Sequence, residues 1–177
     1  MKKTVNIFDY ASQISKAMKK GILLTTKVNG KVNTMTIGWG AMGIEWGKSI
    51  FTVFVRESRY TRDLLDQAGE FTVSIPLDDQ QVEKLIYCGR NSGRDKDKIE
   101  DLKLTLEAPV NIQTPGIREL PLTIECKVLY QQKQDLKGIP KEIRSRFYPA
   151  VTAEGEPDYH IAYYGEILNA YIIQEES

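Results

Sequence analysis

Ile22-Leu23-Leu24-Thr25-Thr26-Lys27-Val28-Asn29-Gly30-Lys31-Val32-Asn33-Thr34-Met35-Thr36-Ile37 is the stretch on which the fold class turns. β-Branched and apolar residues crowd both halves, and Asn29-Gly30 between them is the strongest short hairpin signal available. The stretch predicts two antiparallel strands, the second over Lys31 to Ile37. Upstream, Ile7, Tyr10, Ala11, Ile14, Ala17 and Met18 recur at helical spacing, with lysines at the end and Gly21 as the stop. This predicts an amphipathic helix over Ile7 to Lys20. Downstream, the glycine-punctuated stretch Gly38 to Gly43 leads past Trp46-Gly47 into Ser49 to Val55, which reads as a buried strand.

The remainder repeats the pattern of short strands and short helices. Ser58 or Thr61 is positioned to cap a helix ending at Gly69, and Phe71 to Ile75 reads as a strand stopped by Pro76. Asp78 and Asp79 open a second helix that Gly89 should close, and the polar stretch Arg90 to Asp97 reads as a loop. Further strands are expected over Leu102 to Leu106, Leu122 to Tyr130 and Ile161 to Ile173, with Gly165 marking a bend or bulge. Gln131 to Pro157, rich in Lys, Pro and Glu, reads as an excursion over the surface. The sum is a mainly β protein with short helices, an antiparallel barrel rather than a doubly wound parallel sheet. No P-loop sequence is present.

A chain of 177 residues suits one domain, taken as 1–177. Lys+Arg and Asp+Glu number 24 each, so no net charge draws nucleic acid or an anionic membrane. No apolar run approaches the ~20 residues of a spanning helix, and a cytoplasmic location is expected. Cys88 and Cys126 stand far apart and read as ordinary reduced cysteines. His160 is the only histidine, a poor basis for a zinc or iron site, so no metal is expected. A hydrolase is a weak alternative without a G-x-S-x-G elbow. An enzyme with this inventory takes its reactivity from a cofactor.

Two segments suit a flat, phosphorylated heteroaromatic ligand. Asn33-Thr34-Met35-Thr36-Ile37-Gly38-Trp39-Gly40 sets backbone amides, hydroxyls, an amide and an indole at the end of a hairpin strand; the alternative is a plain strand with one core tryptophan. Arg56, Ser58, Arg59, Tyr60, Thr61 and Arg62 combine guanidiniums and hydroxyls at a helix start, as phosphate sites do; the alternative is a capped surface helix with solvated arginines. Ser92-Gly93-Arg94-Asp95-Lys96-Asp97-Lys98 is, by itself, a polar loop.

Together with Val55 to Thr61 and His160-Ile161-Ala162-Tyr163-Tyr164-Gly165-Glu166-Ile167, these segments resemble the flavin reductase-like family, and within it flavoredoxin-type members. The resemblance runs over nearly the whole chain. It implies an FMN-binding split β-barrel and a homodimer. It places Asn33, Thr34, Met35, Thr36, Ile37 and Trp39 along the isoalloxazine, and Arg56, Tyr60 and Thr61 toward the ribityl phosphate. Ser92, Gly93 and Lys98 would complete the cofactor site, and His160 would lie where a hydride donor or second substrate approaches, against a packing or dimer-contact role for the same residue. One departure is the segment Trp39 to Lys48, which carries no proline where many flavin reductases have a proline-containing element. The implied chemistry is hydride transfer from NAD(P)H to flavin, with onward transfer to oxygen, another flavin or a redox protein partner. Two further readings stand beside it: a flavoredoxin-like electron carrier without its own nicotinamide site, and a non-redox FMN-binding module.

Overall fold

In the computed structural model, residues 1–149 and 157–174 are described. Among them the elements run β1 (Lys2–Thr4), α1 (Ala11–Lys20), β2 (Ile22–Val28), β3 (Lys31–Ile37), β4 (Gly40–Glu45), β5 (Lys48–Arg56), α2 (Tyr60–Ala68) and β6 (Glu70–Ile75). The chain continues through α3 (Val82–Arg90), α4 (Lys98–Asp101), β7 (Leu106–Glu107), β8 (Gly116–Ile117), β9 (Leu122–Lys133), α5 (Lys141–Phe147) and β10 (His160–Ile173). One antiparallel sheet carries the fold, in the order β3-β2-β6-β9-β10-β5-β4, with β1 also paired to β10. β7 and β8 form a separate short ladder.

The hairpin forms as the sequence predicts. Asn29 and Gly30 take φ of 50° and 81°, and the register runs from Val28 opposite Lys31 to Ile22 opposite Ile37. β2 is buried on both faces, which accounts for its unbroken apolar start. Ile22 and Leu24 join the main core with Phe51, Val53, Phe71, Val73, Ile124 and Tyr163, while Leu23 joins a smaller cluster with Leu85, Cys88, Leu104, Ile117 and Leu120 under α3. Gly165 stands at a register shift between β10 and β9. A Cβ there would press on Phe71 and Cys126, so the bulge also needs glycine for space.

Several expectations are corrected. The ladder does not close into a barrel: β3 and β4 are its two ends, and β3 is packed by α3 and α4 instead of by another strand. The opening helix is split into a 3-10 turn, Ile7–Tyr10, and α1, because Asn6 caps the turn by accepting from Phe8 N–H. Residues 40–45 are a strand, turned back by Trp46-Gly47 with φ of 53° and 69°, the same left-handed pair as Asn29-Gly30. Neither Ser58 nor Thr61 caps α2, whose N-cap is Arg59 without a side-chain bond. Gly89 lies inside α3, which runs on to Arg90. The strand expected over Leu102 to Leu106 shrinks to Leu106–Glu107. The stretch expected as a surface excursion is mostly exposed over its described residues but carries regular structure: β9 extends to Lys133 and residues 141–147 form α5, while residues 150–156 lie outside the described part. No helix of the described residues is long and apolar enough to cross a membrane.

Candidate functional site

The end of β3, the end of β5 and the start of α2 meet around Met35 and Arg59, and these two residues line a cavity on either side. One, of about 180 Å³, is bounded by Thr36, Ile37, Gly38, Trp39, Phe54, Arg56 and His160. The other, of about 140 Å³, is bounded by Tyr60, Thr61, Cys88, Ser92, Gly93 and Lys98 among others. Either alone is small against the ~300–1,000 Å³ usual for ligand sites. With two walls in common they form one candidate site with two ends.

The first end is aromatic, and its Arg56 guanidinium is satisfied within the protein. Trp39 is 40% exposed, so it is no core residue; its ring lies 4.7 Å from that of His160 and edge-on to Phe147 at 5.2 Å. His160 is 7% exposed, and its Nδ1 lies 2.8 Å from the Tyr148 hydroxyl. Burial, reinforced by the Arg56 guanidinium, pushes His160 down to about 4, so the ring is neutral at pH 7. Arg56 is occupied by the protein: it donates to the carbonyls of Asp158 and Phe147, both at 2.7 Å, and its guanidinium lies over the Tyr148 ring. The two donations tie the end of α5 and the approach to β10 to the end of β5.

The second end is cationic. Lys98 is 4% exposed, and its ammonium donates to one carbonyl, that of Asn91, at 3.2 Å. Among the described residues no carboxylate lies within ion-pair distance of it. Burial holds its pKa below the ordinary lysine range, and the Arg59 guanidinium pushes the same way. Cys88, on the same wall, is buried and pushed up to about 11 by desolvation, which leaves it an unreactive thiol. Gly93 packs so closely that a Cβ would collide with the Asn33 amide and press on Tyr60. The tight fit fixes the 92–98 loop against β3.

The sequence-selected residues thus divide. Met35, Thr36, Ile37, Trp39, Arg56 and His160 surround the aromatic end; Tyr60, Thr61, Ser92, Gly93 and Lys98 surround the cationic end, with Met35 common to both. Asn33 and Thr34 line neither cavity. The Asn33 amide donates to the Thr61 hydroxyl at 2.9 Å, joining β3 to α2, and the Thr34 hydroxyl donates to the carbonyl of Leu24. Arg56, expected at a phosphate, has both terminal nitrogens on backbone carbonyls. The guanidinium placed between the two ends is that of Arg59, which the sequence reading grouped with Arg56 without selecting it. Its position before α2, one residue from Tyr60, was the available signal. Phe147, Tyr148 and Gln134 were missed because contacts reaching from the β9–α5 region to β5 and β10 leave no local pattern.

A model of the flavin reductase like domain matches residues 16–177. An uncharacterized protein of Archaeoglobus fulgidus is 31% identical over 99 residues, which are 56% of this chain and 55% of that protein, so the match spans about half the relative's length. A flavoredoxin from Methanosarcina acetivorans aligns with a TM-score of 0.66 and 26% identity, covering 87% of this chain and 68% of that one. An FMN-binding domain of a flavin reductases-like enzyme from Shewanella baltica aligns at 0.65 and 17% identity, covering 97% and 77%. With the family model spanning all but the first 15 residues, the chain belongs to the flavin reductase-like family.

Proposed function

We propose that the chain is an FMN-binding flavin oxidoreductase, with the mononucleotide phosphate toward Lys98 and the ring system toward Trp39 and His160. The observation that carries this reading is the Lys98 ammonium, buried with a single carbonyl partner in a cavity shared with Arg59 and Ser92. An isolated buried cation is costly, and an anion bound there would offset the cost. The donor set fits a phosphate: an ammonium, a guanidinium and the Ser92 hydroxyl. When bound, FMN supplies the redox chemistry, exchanging hydride with NAD(P)H and electrons with an acceptor. The protein's part is to fix position. The Asn33–Thr61 bond and the Gly93 contact hold the cationic end, and the Arg56 clamp holds the aromatic end. A neutral His160 adds no further charge to a wall that already carries Arg56 and Arg59.

Titration of the purified chain with FMN and with riboflavin tests the reading. FMN should bind at least tenfold more tightly, as expected for charge-assisted bonds worth about 1.5–3 kcal/mol; equal affinities would remove the phosphate site. Anaerobic mixing of the loaded protein with NADH and NADPH then separates a reductase from a carrier, since prompt bleaching marks the former and bleaching by dithionite alone the latter. A homodimer belongs to the same proposal. It is supported by an aromatic patch of exposed Trp46 and Tyr130 with half-buried Tyr164, their ring centroids 5.4 to 6.4 Å apart. Light scattering should give twice the chain mass, and a monomer would leave the patch to another partner.

A further inference from the structure

The ring of His160 is held through a relay from the end of β9. Gln134 N–H donates to the His160 carbonyl at 3.1 Å, which keeps the two residues side by side past the end of the β9–β10 ladder. Tyr148 donates its hydroxyl proton to Gln134 Oε1 at 2.7 Å, and the Tyr148 hydroxyl oxygen lies 2.8 Å from His160 Nδ1. A phenol has one proton to give. With that proton committed to Gln134, Tyr148 meets the imidazole as an acceptor, so Nδ1 is the protonated nitrogen. The lone pair of the neutral ring then lies on Nε2, for which no partner occurs among the described residues, while the ring lines the cavity beside Trp39.

We propose that Tyr148 and Gln134 are positioning residues that hold His160 as the Nδ1–H tautomer, so that Nε2 is offered to the aromatic cavity as a hydrogen-bond acceptor for an N–H or O–H group of a second substrate. The tautomer follows from the relay with the Gln134 amide oxygen, not its nitrogen, turned to Tyr148; its use on a second substrate rests on the flavin reading above. The relay also gives the Gln134 amide a role that its position on a partly exposed strand end would not suggest. An acceptor at this position favours a neutral donor group, such as a carboxamide, over a carboxylate, which would face a lone pair.

Because the chain has one histidine, a long-range ¹H–¹⁵N correlation spectrum of the full chain at pH 7 gives a single ring pattern. Nδ1 should resonate as the protonated, pyrrole-like nitrogen and Nε2 as the pyridine-like one. Gln134→Leu removes the acceptor, frees the Tyr148 proton to turn toward Nδ1, and should switch the pattern to Nε2–H. Gln134→Glu keeps an acceptor and should keep the wild-type pattern, which preserves the test if the leucine variant does not fold. An Nε2–H pattern in the wild type, or no switch in a folded Gln134→Leu, overturns the proposal. In the FMN-loaded protein, Gln134→Leu should raise the KM for the nicotinamide donor about tenfold, the loss of one hydrogen bond, with a smaller change in kcat. An unchanged KM beside a switched tautomer would overturn the substrate role alone. Absence of FMN binding would sink the flavin reading and leave the tautomer result standing.

Discussion

At the aromatic end of the site the charged and polar groups are answered within the protein: Arg56 by two carbonyls, His160 Nδ1 by Tyr148. At the cationic end, Lys98 is buried with one carbonyl and no carboxylate partner among the described residues. Both ends are desolvated, yet burial acts on them differently. It has neutralised the imidazole, which can shed its proton at little cost, and left an ammonium that an incoming anion can satisfy. On the proposed reading, the difference teaches that one end selects by shape and hydrogen-bond polarity, the other by charge. Substitutions that move one property without the other separate them.

The largest expected effect is on the aromatic end and needs no ligand. Folded His160 titrates at about 4 against an ordinary value near 6.5, so on acidification the unfolded chain takes up the proton first. The depressed pKa costs nothing above pH 6.5 and destabilises the fold progressively between pH 6.5 and 4, by about 3 kcal/mol at the lower limit. Arg56 and Arg59 oppose protonation and Asp158 favours it. Denaturant unfolding at pH 7.5 and 4.5 should show a steeper acid loss in the wild type than in His160→Gln. Parallel losses would mean that His160 titrates normally.

Lys98→Met addresses the cationic end. Removing the ammonium should weaken FMN by about 2 kcal/mol, roughly thirtyfold, and leave riboflavin unchanged. Since it also removes a buried charge, the apo protein should keep or raise its thermal midpoint. A stability loss without a change in the FMN-to-riboflavin ratio would make Lys98 a structural residue. Arg56→Leu should behave in the opposite way: two carbonyls lose their donors, stability falls by about 1.5 kcal/mol, and the ratio stays as it was. A collapse of the ratio in this variant would return Arg56 to the phosphate.

How much of this was legible in the sequence follows from the range of the interactions. The hairpin through Asn29-Gly30, the strand Phe71 to Ile75 and the Gly165 bulge are local and could be read directly. The Trp46-Gly47 turn is equally local, but a tryptophan at positive φ is uncommon enough that no turn signal marked it. The candidate site was legible as a set of segments that line two adjoining cavities, not as a division of roles. Arg56 and Arg59 are equivalent guanidiniums on paper. Only the carbonyls of Phe147 and Asp158, about a hundred residues away, decide that Arg56 is a clamp. In the same way, nothing near Gln134 in sequence announces that its amide is the end of a relay to His160.

The smallest expected effect concerns Trp39, where the comparison between the two ends is most exposed to failure. Its indole is 40% accessible and touches His160 and Phe147, so it forms part of the cavity wall and contributes little to the core. Trp39→Leu keeps an apolar side chain and removes the extended π-surface. A stacking contact of this kind is worth about 0.5–1.5 kcal/mol beyond its buried area, so FMN and riboflavin should both weaken about fivefold, with their ratio unchanged and the flavin absorbance shifted. The apo midpoint should move little, since a partly exposed side chain leaves no closed cavity behind it. The equal loss for both flavins is the informative part: the aromatic end should be indifferent to the phosphate in the way that the Lys98 end should be indifferent to the ring. If Trp39→Leu weakens FMN but not riboflavin, the two ends are coupled through Met35 and Arg59, and the division of labour between them is wrong.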